Sequence, residues 1–201
     1  MTIQSLEQLR ALYGDVSPVA AAKQISALDV HCRRFIALSP FLVMSTATAD
    51  GVDASPKGDA PGFVQVDEQG DLLIPDWPGN RRLDGLRNIL ANPQVGLLFL
   101  VPNVRETLRV NGAAQIHDDE ATLARFERQG RRPITVLRVT PREVFLHCAK
   151  AFLRSRLWEP GTWPERSALP SMGEMIKDHA RLDGPPSDDA EMLARYQKVL
   201  Y

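Results

Sequence analysis

Apolar residues recur every three or four positions over the first forty residues, then crowd into short extended runs separated by turn residues. Leu6, Leu9 and Leu12 make one helical stripe, with Ser5 placed to cap its start and Gly14 to stop it. Ser17 followed by Pro18 is the cap-then-proline signal of a second helix, whose stripe of Val19, Ala22, Ile25, Cys32 and Phe35 carries it to Pro40. From Phe41 the period changes. Two extended segments meet at Asp50-Gly51, which predicts a hairpin. Further strands are predicted over 63–66, 72–74, 95–101, 107–114 and 134–139, with the acidic turn around Gly70 among their connections.

Two helices interrupt the strands, one over 82–90 that stops at Asn92-Pro93 and one from Asp118 or Asp119 to Gly130. Consecutive strands with so few helices between them do not fit a parallel β-α-β layout. They predict an α+β fold, a mostly antiparallel β-barrel, closed or split, with flanking helices. After Cys148 the chain turns helical and then proline-rich. Ser171 is placed to cap one further helix, and Ser187 or Asp188 starts a last one carrying Leu193, Tyr196 and Leu200. One domain is expected over 1–201: N-terminal helices to residue 40, the barrel over 41–148, and a C-terminal helical segment over 149–201 packed on the barrel or on a partner subunit.

Composition narrows the function by exclusion. The chain has 201 residues, 44% of them apolar, with a formal charge of −1 and a pI near 6.4. That charge argues against a nucleic-acid binder working by general electrostatics, so basic residues must act locally. Cys32 and Cys148 stand far apart, and the four histidines show no metal-ligand spacing; two buried structural thiols are expected and no metal. The first residues carry no basic-then-apolar leader, and no apolar run reaches the roughly 20 residues of a membrane span. A soluble cytoplasmic protein is expected.

One run concentrates chemistry. From Ile74 to Asp84 the chain passes from a strand end through Pro75-Asp76-Trp77-Pro78-Gly79-Asn80 to the paired Arg81 and Arg82 at a helix start. Guanidiniums present planar forks of donors that match phosphate oxygens, and a helix N-terminus adds free N–H groups and partial positive charge. Cations oppose the helix dipole at that end, so a pair placed there points to an anion between them. A phosphorylated ligand is the expectation.

The order of segments then resembles a known family. The hairpin, Ser55-Pro-Lys-Gly-Asp59, the turn Asn80-Arg81-Arg82, the stretch Asn92-Pro-Gln-Val-Gly-Leu-Leu-Phe99 and Arg105-Glu-Thr-Leu-Arg-Val-Asn-Gly-Ala-Ala114 together resemble the pyridoxamine 5′-phosphate oxidase-like family of FMN-binding split barrels, over roughly residues 30–150. The resemblance implies a homodimer with FMN at the subunit interface. It places Asn80, Arg81 and Arg82 on the FMN phosphate, Asp76 and Trp77 along the ribityl chain or ring edge, and Ser55, Lys57 and Asp59 beside the isoalloxazine. It brings Arg105 and Thr107 to the flavin from the partner, with Arg105 ranked above Arg109 because Leu108 and Val110 must face the core. It also gives Lys150, Arg154 and Arg156 a role in closing the pocket. An FMN-dependent oxidoreductase is implied, with a nicotinamide cofactor or oxygen as electron partner. Two alternatives stay open: a flavin-binding protein without turnover, and a dimeric module for another phosphorylated ligand. True oxidases of the family carry an Arg-x-His pair in the C-terminal segment; Arg154-Ser-Arg156 stands there instead, and a guanidinium cannot take an imidazole's acid-base role.

Overall fold

In the computed structural model, which describes residues 2–201, the two N-terminal caps form as the sequence predicts. Ser5 accepts the amide of Gln8 at the start of α1 (Leu6–Tyr13), and Ser17 accepts that of Ala20 at the start of α2 (Pro18–Ala22). The second helix does not reach Pro40. Ile25 leaves it to bridge Val144, exchanging backbone hydrogen bonds of 2.9 and 2.8 Å, and a separate α3 (Val30–Leu38) starts under an Asp29 cap. Pairing with a strand far along the chain overrides a helical stripe that local propensity alone would continue.

Seven antiparallel strands follow: β1 (Phe41–Thr48), β2 (Gly51–Gly58), β3 (Gln65–Val66), β4 (Leu72–Asp76), β5 (Gln94–Leu100), β6 (Thr107–His117) and β7 (Thr135–His147). Their order in the sheet is β2-β1-β5-β6-β7-β4-β3. The α+β, antiparallel expectation holds, and the barrel is split rather than closed: β2 and β3 remain as edges. The Asp50-Gly51 hairpin forms in register, Thr48 opposite Gly51 and Phe41 opposite Gly58. β6 and β7 run longer than their apolar segments suggest, because they pair with each other along their whole lengths. At their bulge Gly112 is required, since a Cβ there would meet the Thr140 carbonyl oxygen at 2.2 Å.

Helix α4 (Asp84–Ala91) joins β4 to β5, and the short α5 (Glu120–Ala124) joins β6 to β7. The longer helix expected to Gly130 stops at Ala124: the next amides bond three residues back rather than four, Phe126 to Leu123 and Glu127 to Ala124, and Arg128 and Arg131 then bridge each other across Gln129 and Gly130, both at positive φ. Leu42, Met44, Ile74, Leu97, Phe99, Leu108, Val110, Leu137 and Val139 fill the curl of the sheet, and Cys32 and Ile36 of α3 and Ile89 of α4 cover it. Each such large side chain contributes about 1.5–3 kcal/mol relative to exposure. Burial pushes the Cys32 thiol up to about 11, as expected of an inert structural thiol. Cys148 does not follow the expectation: it sits just past the end of β7 and is exposed.

The C-terminal segment forms α6 (Lys150–Ser155), α7 (Met172–Ala180), with a complete Ser171/Glu174 capping box, and α8 (Asp189–Lys198), capped by Asp188. Met192 is the buried residue of α8, whereas Leu193, Tyr196 and Leu200 are exposed. No helix among the described residues is long and apolar enough to cross a membrane.

Candidate functional site

Residues paired directly across antiparallel strands share a face. Asp53, Ser55 and Lys57 of β2 lie opposite Thr46, Met44 and Leu42, all three buried on the concave side of the sheet, so the β2 trio faces that side too. This trio forms one wall of a cleft of about 480 Å³. The end of β4, with Asp76 and Trp77, forms the facing wall, and the turn from Gly79 to Leu86 forms its roof. The volume lies in the ordinary range for small-molecule sites. The two walls belong to strands that share no backbone hydrogen bonds, so the cleft occupies the split itself.

The ion pair between Lys57 and Asp76 spans that split. Both side chains are about four-fifths buried, at 20% and 17% exposed, so each shields the other's charge in a setting where either alone would be costly. Beside it, the Ser55 hydroxyl donates to Asp53 at 2.6 Å. Gly85 lets α4 settle onto this wall: a Cβ there would lie 3.3 Å from the Met44 methyl and 3.4 Å from an Asp53 carboxylate oxygen. Farther along α4, Asn88 donates to Thr46 at 3.0 Å and Asn92 donates to the Ala47 carbonyl at 2.9 Å.

The roof carries several hydrogen-bond donors. Arg81 and Leu83 are both left-handed, at φ of 60° and 61°, flanking a residue of ordinary hand. Alternation of this kind turns successive N–H groups toward one concavity. Leu83 stands at the N-cap of α4 and supplies no side-chain cap, so the first amides of that helix are free. Asn80 accepts the Arg82 amide at 3.0 Å and shapes the turn, leaving its own amide group as a donor. Arg82 pairs with Asp84 at 2.8 Å, while Arg81 makes no ion pair among the described residues. Trp77 adds an indole N–H that is buried and has no hydrogen-bond partner.

Seven of the residues that the sequence points to therefore meet in one cleft: Ser55, Lys57, Asp76, Trp77, Asn80, Arg81 and Arg82. Six others do not. Asp59 lies past the end of β2, where its carboxylate accepts the Tyr201 hydroxyl at 2.8 Å. Arg105 precedes β6 and is exposed. Lys150, Arg154 and Arg156 are exposed on and after α6, with Arg156 paired to Glu159 at 2.7 Å. Thr107 lines a second cavity of about 480 Å³ on the convex face, together with Ser45, Leu98, Arg109 and Phe152. There the Arg109 guanidinium lies 4.1 Å from the Phe145 ring centroid, and its Nε–H is buried without a partner. Asp53, Leu83 and Gly85 line the cleft without having been singled out from sequence; the alternation Asp53, Ser55, Lys57 was the signal for the first of them. Among the described residues no three His, Cys, Asp or Glu side chains group to hold a metal ion.

Comparison with known proteins gives one sequence match. The family described as pyridoxamine 5′-phosphate oxidase matches residues 28–148. Among curated proteins none matches the chain. Solved structures similar to it include HupZ of Group A Streptococcus, 17% identical with a TM-score of 0.48 over 59% of this chain and 93% of that one. General Stress Protein 26 of Bacillus anthracis str. Sterne is similar at 18% identity and a TM-score of 0.44, over 58% of this chain and 94% of that one. At such identities and scores these likenesses bear on no residue's role.

Proposed function

Since the chain belongs to the pyridoxamine 5′-phosphate oxidase family, we propose that it is a cytoplasmic, homodimeric FMN-dependent oxidoreductase that holds the FMN phosphate under the roof of the cleft. The observation that carries this reading is the roof: an unpaired Arg81 beside the uncapped, left-handed entry to α4, opening into a cavity lined also by Trp77, whose buried indole N–H has no partner. Each of these is a donor without a partner in the protein, and together they suit a phosphate and the polar chain attached to it. FMN, when bound, supplies the hydride and electron chemistry itself. Arg81 and the α4 amides bind and orient; Asn80 and Arg82 fix the turn. Ser55 and Lys57 line the wall where a ring would lie, Lys57 with its charge already shared with Asp76. In the dimer, the convex-face residues Thr107 and Arg109, with Arg105 and the basic residues of the C-terminal segment, would come from the partner. A nicotinamide cofactor or oxygen serves as electron partner.

One observation favours a second reading, a flavin-holding protein without turnover. Among the described residues that line the cleft, every titratable side chain except Arg81 is already engaged: Asp53 with Ser55, Lys57 with Asp76, Arg82 with Asp84. No general acid or base stands free. Titrating FMN and riboflavin against the protein tests the phosphate site common to both readings; a marked preference for FMN is expected, and equal affinity for the two overturns it. Stopped-flow reduction of the loaded protein by nicotinamide cofactors then separates enzyme from carrier.

A further inference from the structure

The two walls of the cleft are tied a second time, outside the cavity, by a residue 142 positions away from one of its anchors. Tyr201 places its ring edge-on to Trp77, with centroids 4.9 Å apart and planes at 76°. Its hydroxyl donates to Asp59 at 2.8 Å, and its backbone oxygen accepts from Arg131. Trp77 follows Asp76 directly, and Asp59 stands two residues after Lys57. Tyr201 therefore bridges the same two chain segments that the Lys57–Asp76 pair joins from inside. The hydroxyl bond to Asp59 and partial burial both push the Tyr201 phenol above its ordinary pKa, so the proton stays on the tyrosine and the bond keeps its direction.

The route that brings Tyr201 there is itself closely packed. α7 and α8 meet where Gly173 lies against the backbone of Ser187, so near that a Cβ would sit 2.0 Å from the Ser187 carbonyl oxygen. Met192 of α8 is buried, and beyond Val199 the chain brings the Tyr201 ring against the Trp77 indole. The indole thus lines the cleft and also packs against Tyr201, with its own N–H unpartnered.

We propose that Tyr201 is a positioning residue for the cleft: it staples β2 to the end of β4 and sets Trp77, so that ligand affinity depends on the C-terminal segment being docked. The staple rests on geometry alone, whereas its effect on affinity rests on the reading of the cleft as an FMN site. Two arms keep them apart. Hydrogen exchange in the unliganded protein, followed by mass spectrometry over 52–60 and 72–82, is compared for wild type, Tyr201→Phe and Tyr201→Ala. Tyr201→Ala raises exchange in both segments, and Tyr201→Phe, which keeps the ring, restores the protection of 72–82 while 52–60 stays raised. FMN titration of the same three proteins shows about tenfold weaker binding for Tyr201→Ala and about threefold for Tyr201→Phe, from the loss of an aromatic pair and one hydrogen bond. Exchange identical to wild type in both variants, or raised only within α7 and α8, overturns the staple whether or not FMN binds. Wild-type affinity in Tyr201→Ala overturns its effect on the site. Failure of the wild type to bind FMN refutes the FMN reading and leaves the exchange arm to decide the staple.

Discussion

Two cavities of about 480 Å³ each lie on opposite faces of one sheet, and they offer a ligand different things. The cleft at the split is polar: Arg81, Arg82, Lys57, Asp76 and the free start of α4 line it. The convex-face pocket is mostly apolar, with Leu98, Ala151 and Phe152 around a single guanidinium, that of Arg109. A phosphate suits the first and a flat apolar ring suits the second, and the two pockets share no lining residue. In the homodimer proposed above, the convex face of one protomer would meet the cleft of the other, and a two-fold axis would generate two equal sites. Of the residues named from sequence, those for the phosphate fall in the cleft and Thr107, ascribed to the partner, falls on the convex face, while Asp59, Arg105, Lys150, Arg154 and Arg156 line neither.

The division breaks first at Arg81. Arg81→Ala is expected to weaken FMN by one to two orders of magnitude while riboflavin changes little, since one charge-assisted contact is worth roughly 1.5–3 kcal/mol. Fluorescence quenching with both flavins reads the difference; equal losses would take the arginine off the phosphate.

An effect of similar size, remote from both cavities, fixes the acid limit for such titrations. Burial raises the pKa of the Asp67 carboxyl, but the Asp71 amide and the Arg138 guanidinium outweigh it, and the group ends below the ordinary aspartate range. A lowered folded-state pKa means stability that is fully present above that range and lost as pH falls through the folded value. Asp67→Asn should therefore cost about 2 kcal/mol at neutral pH and flatten the acid limb of the stability curve. Chemical denaturation across pH checks this; an acid limb unchanged in the variant would remove Asp67 from it. Loss of flavin at milder pH then belongs to the cleft.

On the convex face, Arg109→Leu should weaken FMN and riboflavin alike by about fivefold, equivalent to about 1 kcal/mol, because a ring contact does not depend on the phosphate. Sedimentation with FMN should show a dimer with one flavin per chain. A monomer that holds FMN tightly, or an Arg109→Leu protein unchanged toward both flavins, would confine the site to the cleft.

The smallest expected effect is an absence. With Arg154-Ser-Arg156 exposed and Arg156 paired to Glu159, no imidazole stands at the second position of that pair. Pyridoxamine 5′-phosphate, incubated aerobically with FMN-loaded protein, should yield pyridoxal phosphate far more slowly than about 1 s⁻¹, the low end of ordinary turnover. Turnover at or above that rate would restore the oxidase assignment.

What could be read from sequence follows the range of the interactions involved. Asp50-Gly51, the caps at Ser5, Ser17 and Ser171, and the Asn80-Arg81-Arg82 turn are local, and each is found where the pattern placed it. What the pattern missed is set at long range. Ile25 sits on a helical stripe yet pairs with Val144, and β7 gains its length from β6. Within the site, the chemistry of Lys57 is decided by Asp76, nineteen residues on, and that of Trp77 by Tyr201. Nothing local signals either pairing. Arg109 fell behind Arg105 for a related reason: alternation along β6 shows which residues leave the core, but only the fold shows that Arg109 ends half-buried over Phe145 while Arg105 stays in solvent.

Whether the cleft is a phosphate-anchored flavin site is decided by the absorption spectrum of the protein as isolated, followed by analysis of any flavin released on denaturation. A yellow protein is expected, one that carries close to one FMN per chain, or takes up that amount when FMN is added, and that does not retain riboflavin. A colourless protein that leaves added FMN in the flow-through of a desalting column would contradict it.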